Sequence, residues 1–350
     1  MNYKYHFFDD YSEGAHPYIL DALVRTNLQQ EEGYSADSFS MQAEKLIQTQ
    51  MNRANAQIHF VATGTQANIV CLASLLKPYE SVIAVDSGHI NVFEVGAIEA
   101  TGHKVHSLPA QAGKLTPQMV QTLVESTNFD QMVKPKVVYI SQTTEVGSIY
   151  TKKELEALSK VCKNHDLYFY IDGARLGHAL MSEQADFNLQ DIANLADMFY
   201  IGGTKNGGLI GEAIVIPNIS LQPEFRRHLR QRGALLAKAR SVSIQFVEFF
   251  KNNLYFENAK HANQMAKQLA QGIKACGYTF EAEVVTNQLF VHLPNNIIEK
   301  LKPLYGFHIW GKSSLNDHTV IRLVTSWATP ETAVQGFIED LNKFIEGNNV

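Results

Sequence analysis

From residue 57 onward the chain alternates two kinds of apolar pattern. Short runs rich in Val, Ile, Tyr and Phe come first: "QIHFVA", "SVIAVD", "HKVHSL", "KVVYIS", "LYFYID" and "DMFYIG". Between them stand "TQANIVCLASLL", "INVFEVGAIEA", "TPQMVQTLVES" and "TKKELEALSKVCKNH", in which apolar residues recur at spacings of three and four. The first pattern predicts buried strands, and the second predicts helices that lay one face on a sheet. Their alternation predicts βαβ units and a mostly parallel sheet with helices on both faces, seven-stranded once "GLIGEAIVIP" adds a returning strand. In such sheets ligands bind beyond the carboxyl ends of the strands.

The pattern then changes. From "QPEFRRHLRQRGALLAKARSVSIQFVEFFKNN" through "NAKHANQMAKQLAQGIKACG" the period is helical throughout, predicting long helices. The rest mixes strands ("QLFVHL", "FHIW", "TVIRLVTSW") with a last helix from Pro330, the α+β character of a smaller domain. A chain of 350 residues exceeds the roughly 250 to 300 at which one core stops growing. We therefore expect a large domain over residues 1–250, with 1–40 an N-terminal segment contributing to its site, and a small C-terminal domain over 251–350.

Composition narrows the function more than the fold. Apolar residues are 45% and charged residues 19%, as in ordinary globular proteins. The net charge is −5, with no basic run to neutralise a row of phosphates, which argues against nucleic acid as a partner. No signal-peptide pattern opens the sequence and no run of about 18 apolar residues follows, so we expect a cytoplasmic protein with no membrane partner. Cys71, Cys162 and Cys276 are too few and too scattered for a disulfide framework or a Cys-rich metal site. None of the 13 histidines shows the spacing of a zinc hydrolase, and no metal is expected.

Two ionisable residues stand at strand ends. Strand "LYFYID" delivers Asp172 beside Gly173 and Ala174, and strand "DMFYIG" delivers Lys205 in "GGTKNGG", 33 residues further on. Taken singly, Asp172 reads equally as a helix N-cap and Lys205 as a solvated lysine in a Gly-rich turn. Taken together, an acid and an amine at the mouth of one sheet suit pyridoxal phosphate, whose aldehyde condenses with a lysine and whose ring nitrogen stays protonated beside a carboxylate. Its phosphate needs backbone amides. "VATGTQANIV" offers them, because a strand runs through Thr63, Gly64 and Thr65 straight into a helix N-terminus. His89, after "SVIAVD", can stack on a planar ring or simply cap the next helix. Arg322 interrupts the apolar run "TVIRLVTSW", and a guanidinium there calls for an anion or a carboxylate partner.

In this order and spacing the pieces resemble the fold-type I pyridoxal 5'-phosphate enzymes, and among them the threonine aldolase and β-eliminating lyase group, over nearly the whole chain. The resemblance implies Lys205 as the Schiff-base lysine, Asp172 as the partner of the pyridine nitrogen and His89 as the ring-stacking residue. It likewise implies Thr63, Gly64, Thr65 and Thr204 around the phosphate, and Arg175 and Arg322 on the substrate carboxylate. "FFDDYSEG" resembles the group's opening segment, with Asp9 where a serine is usual and Asp10 as a substrate-binding aspartate. "EEGYSADS" resembles a loop carrying an active-site tyrosine, here Tyr34. "RQRGALLAKAR" resembles a stretch reaching a neighbouring subunit's phosphate, with Arg232 and Lys238 as candidates in a homodimer or homotetramer.

One departure stands out. In "ISQTTEVGS" Glu145 occupies the place where the group carries a histidine near the substrate hydroxyl. A glutamate can still take a proton there if burial raises its pKa from about 4.3, and it can equally favour a different substrate side chain. The activity implied is cleavage of a β-hydroxy-α-amino acid, threonine or allo-threonine, to glycine and acetaldehyde. β-Elimination from another β-substituted amino acid and a non-catalytic cofactor-binding role remain the alternatives. The base is open between Glu145, His89 and a water.

Overall fold

The computed structural model describes residues 3–346. Its centre is a seven-stranded sheet built from β2 (Gln57–Val61), β3 (Glu80–Val85), β4 (Lys104–Leu108), β5 (Lys134–Ser141), β6 (Tyr168–Asp172), β7 (Met198–Gly202) and β8 (Glu212–Ile216). Two further sheets lie outside it. A short β1 (Tyr5–His6) pairs in parallel with β11 (Tyr305–Gly306), and β9 (Thr279–Phe280), β10 (Gln288–Pro294), β12 (His308–Lys312) and β13 (His318–Val324) form a small antiparallel sheet.

Spatial order in the large sheet is β2-β8-β7-β6-β5-β3-β4. Only β8 runs against the others, pairing antiparallel with both β2 and β7. Every residue of β3, β7 and β8 is buried, as expected for strands covered on both faces. The chain moves outward from β3 to β4, then crosses back to β5 and continues the other way through β6 and β7. The order therefore reverses between β3 and β5, and such a reversal opens a crevice at the carboxyl ends of the two strands.

The second core is separate. Leu289, Val291, Leu293, Ile321 and Leu323 of the small sheet pack on one face of the helix Leu254–Ala275 and on Val334, Phe337 and Leu341 of the last helix. Phe7, just after β1, is buried in this core and brings the N-terminal segment to the seam between the sheets.

Two predicted helices differ from expectation. "INVFEVGAIEA" forms only His89–Val92 and a short turn at Glu99–Thr101, because Val95 and Gly96 take φ of +54° and +72°. The long helical run after residue 222 breaks into Phe225–Gln231, Arg240–Lys251 and Leu254–Ala275, with Gly233 at φ +67° ending the first piece and Asn253 at φ +60° opening the last. Left-handed residues cannot sit inside a right-handed helix, so periodicity alone overstates its length.

Candidate active site

One edge of the large sheet collects the ionisable residues. The carboxyl ends of β3, β5, β6 and β7 lead into His89, Glu145, Asp172 and Lys205 respectively, and β2 leads into Thr63. Because β8 runs the opposite way, it starts rather than ends at this edge and places Glu212 opposite both Val61 and Gly202. Two adjoining cavities of about 330 and 410 Å³ open there, sharing Tyr11, His89, Glu145, Arg175 and Lys205 in their walls.

The first cavity has the means to hold a pyridine ring and a phosphate. Asp172 is buried and accepts four hydrogen bonds: from the Tyr200 hydroxyl (2.5 Å) and the Ala174 amide (3.0 Å) at Oδ1, and from the Tyr139 hydroxyl (2.7 Å) and Asn68 Nδ2 (3.0 Å) at Oδ2. Burial pushes its pKa up, but the neighbouring His89 and the donors from Tyr200, Tyr139 and Asn68 outweigh burial, and the carboxyl lies below its ordinary range. It remains an anion.

Thr63 caps the helix Gly64–Leu75 by accepting the Gln66 amide (3.1 Å), and a Cβ on Gly64 would come within 2.9 Å of the Tyr200 hydroxyl. The first amides of a helix lack intrahelical partners and suit an anion. Thr204, beside Lys205, accepts the Gly211 amide (3.0 Å) and lines the same cavity. Burial and then the Arg175 charge lower the pKa of the Lys205 amine, increasing its neutral, nucleophilic fraction. Glu212 accepts the Gly203 amide (2.7 Å) at the root of the lysine turn, and burial raises its carboxyl to about 7.

The second cavity reaches Arg322, Trp310, His308 and Gln288 of the small sheet. Arg322 lies opposite Phe290 on β10 and His308 on β12, with its guanidinium 5.2 Å from the centre of the Trp310 ring. Its contact with Phe8 O is long (3.4 Å), and its buried Nε has no partner among the described residues. Burial and Arg175 lower its pKa, so an anion arriving here would be welcome. Arg175 is already engaged: Nε and Nη2 donate to the two oxygens of Asp10 at 2.7 and 3.1 Å, and Asn287 adds a third donor at 2.8 Å. Asp10 is fully buried behind it.

Glu145 lies between the two cavities. Its Oε1 accepts the His89 amide (2.9 Å) and the Ser141 hydroxyl (2.6 Å), and burial raises its pKa. The His89 ring Nδ1 is 2.8 Å from Glu94 Oε1, and the ring is the more open of the two to the cleft.

Within one chain the structure brings together Thr63, Gly64, Thr65, His89, Glu145, Asp172, Arg175, Thr204, Lys205 and Arg322, with Asp10 bracing Arg175. Tyr34, Arg232 and Lys238 are elsewhere. Tyr34 lies under the Arg230 guanidinium (4.9 Å), its carbonyl accepts from Arg226 (2.7 Å), and its amide donates to Ala237 O (3.1 Å). The loop read as carrying an active-site tyrosine and the stretch read as reaching a neighbouring subunit are thus tied to each other, and Tyr34, Arg232 and Lys238 line neither cavity.

Sequence reasoning missed Asn68, Glu94, Tyr139, Tyr200 and Glu212. A usable signal existed for the tyrosines, since Tyr139 and Tyr200 each stand in an otherwise apolar buried strand where a hydroxyl must find a partner. None existed for Glu94, whose inward aim depends on the break at Val95.

Comparison with known proteins identifies the family and the fold. Residues 10–296 match the family model described as beta-eliminating lyase. The chain is 30% identical over 339 residues to the low specificity L-threonine aldolase of Pseudomonas aeruginosa, covering 95% of each. It is 31% identical over 343 residues to that of a Pseudomonas strain, again at 95% of each. Among solved structures, threonine aldolase of Leishmania major superposes with a TM-score of 0.96 at 45% identity, covering 97% of this chain and 99% of that one. An aspartate aminotransferase of Thermus thermophilus shares the fold at a TM-score of 0.71 and 14% identity, over 98% of this chain and 92% of that one.

Proposed function

This chain belongs to the beta-eliminating lyase family, and from that premise we propose that it is a pyridoxal 5'-phosphate-dependent carbon–carbon lyase that cleaves L-threonine, L-allo-threonine and related β-hydroxy-α-amino acids to glycine and an aldehyde. The observation that carries this reading is the junction of two cavities at Lys205, one containing a four-fold hydrogen-bonded carboxylate and the other a guanidinium with an unpartnered buried nitrogen. The donor set fits the cofactor. Lys205 would hold its aldehyde carbon, Asp172 its ring nitrogen, and the Thr63–Thr65 turn with Thr204 its phosphate. When bound, the cofactor attaches the substrate amine and takes up the electron pair left on Cα as the Cα–Cβ bond breaks.

The chain's own residues supply the rest. Arg322 offers Nε and Nη to one face of the substrate carboxylate, and Arg175, held in plane by Asp10, meets it from the other side. With the carboxylate fixed, the β-hydroxyl falls between His89 and Glu145. His89 accepts the hydroxyl proton at Nε2. Burial raises the pKa of Glu145, and in its protonated form Oε2 would donate to the same oxygen. Ser141 and the His89 amide hold the other carboxyl oxygen and aim it.

Elimination from a β-substituted amino acid is the second reading, favoured by Glu145 where the group usually has histidine. Assay of both threonine diastereomers separates the two. Glycine and acetaldehyde support cleavage; pyruvate and ammonia from a β-substituted substrate, with threonine untouched, sink it. Borohydride reduction with cofactor should add mass to wild type and not to Lys205→Ala.

Several coarser points belong to the same reading. The chain works in the cytoplasm as a homodimer or homotetramer, where Tyr34, Arg232 and Lys238 serve a neighbouring subunit. The domain division near residue 250 is supported by a separate core built from residues at and beyond Met265, which Phe7 of the N-terminal segment joins.

A further inference from the structure

The broken helix after His89 has a chemical consequence. Val95 adopts φ +54°, a costly conformation for a β-branched residue, and its side chain is fully exposed. Nothing apolar is gained by that turn. What it does is direct Glu94 inward, where the side chain has no exposure at all. Glu94 Oε1 sits 2.8 Å from His89 Nδ1 and accepts from Asn68 Nδ2 at 2.7 Å. The same Asn68 nitrogen reaches Asp172 Oδ2 at 3.0 Å, and Asn68 Oδ1 accepts from the Tyr170 hydroxyl at 2.9 Å. Among the described residues, Glu94 Oε2 is buried with no partner. A strained valine and a half-satisfied buried carboxylate are both destabilising, and they converge on one imidazole nitrogen.

We propose that Glu94 is a positioning residue: it fixes His89 as the tautomer with hydrogen on Nδ1, leaving the Nε2 lone pair facing the cleft, and Asn68 locks this pair in register with Asp172. A free neutral histidine side chain prefers hydrogen on Nε2, a form that cannot accept a proton there. An acceptor at Nδ1 reverses the preference, because the hydrogen bond exists in only one tautomer. The Asn68 bridge then sets the ring plane relative to Asp172, so that the stacking residue and the ring-nitrogen partner move as one unit. The inference rests on His89 as the proton acceptor in the proposed reaction, but the tautomer itself is independent of any turnover.

The test is ¹⁵N NMR of the cofactor-loaded protein labelled in its histidine rings, recorded well above pH 6.5, with His89 assigned by its disappearance in His89→Phe. Wild type should show Nδ1 protonated and Nε2 bare. Glu94→Gln keeps a carbonyl oxygen at the Oε1 position and should retain that pattern. Glu94→Met offers no acceptor and should move the hydrogen to Nε2, with kcat on L-threonine falling roughly 100-fold and KM little changed. A wild-type spectrum with hydrogen on Nε2, or a Glu94→Met spectrum unchanged from wild type, overturns the proposal. So does a tautomer shift that leaves kcat intact. If Glu94→Met does not fold, the wild-type spectrum still decides. A wild type that shows the expected tautomer yet never cleaves threonine refutes the proposed function and leaves the Glu94 assignment of the tautomer standing.

Discussion

Replacing Asp10 by asparagine removes a negative charge from a place that water does not reach. Asp10 is fully buried; Oδ2 accepts from both Arg175 Nε (2.7 Å) and Asn287 Nδ2 (2.8 Å), and Oδ1 accepts from Arg175 Nη2 (3.1 Å). Burial pushes its pKa up, but Arg175, with Lys205 and His178 behind it, overcomes burial and holds the carboxyl well below the ordinary range. An asparagine has one acceptor oxygen. Placed at the Oδ2 position it keeps two contacts, and its NH₂ then faces the Nη2 of a guanidinium that has become an uncompensated buried cation. Breaking a buried ion pair by neutralising one partner costs about 3–5 kcal/mol, and the isosteric change belongs near the lower end. Urea unfolding at neutral pH should therefore show a loss of about 3 kcal/mol. The loss should shrink in acid, because the ionised carboxylate stabilises the fold above its unfolded pKa of about 3.9 and that contribution disappears as the pH falls toward the depressed folded value. KM for L-threonine should rise together with the instability, since Arg175 is no longer held in plane. An Asp10→Asn variant of wild-type stability with only KM raised would refute this reasoning and return Asp10 to direct substrate contact.

Three more outcomes are expected. Arg322→Ala removes a two-point grip on a carboxylate at about 1.5 kcal/mol per charge-assisted bond, so KM should rise roughly 100-fold, while thermal unfolding should change little, because the lost contact with Trp310 is offset by removal of a buried cation whose Nε is unpartnered among the described residues. His178 is fully buried with neither ring nitrogen bonded among the described residues, and burial lowers its pKa from 6.5 to about 4. The unfolded chain takes up the proton first, so wild type loses stability as the pH falls from about 6.5 to about 4, and His178→Leu should be relatively more stable by about 2 kcal/mol at pH 5 than at pH 8 in urea titrations. Glu145 has a raised pKa and donates only when protonated, so wild-type kcat should decline as the pH rises through that value. Glu145→Gln, a permanent donor, should flatten this limb; an unchanged limb would remove Glu145 from the proton inventory.

The sequence on its own determined the strand–helix alternation and hence the parallel sheet, because burial on both faces demands continuous apolar strands and the crossovers demand helices. It also placed Asp172 and Lys205 at the ends of their strands, since a charged residue directly after an apolar run can stand only at the sheet's edge. Tertiary structure alone decided which charges meet. Asp10 and Arg175 are 165 positions apart, and Arg322 reaches the cleft from a different sheet. Strand order decided more still: the antiparallel return of β8 put Glu212 beneath Lys205, and the left-handed turn at Val95 aimed Glu94 at His89. Periodicity reports which face of an element is buried, whereas contacts between distant polar groups follow from how the elements are ordered in space. The anchoring pair of this cleft was therefore legible in the chain order, whereas the polar contacts that tune it became legible only once the sheet was assembled.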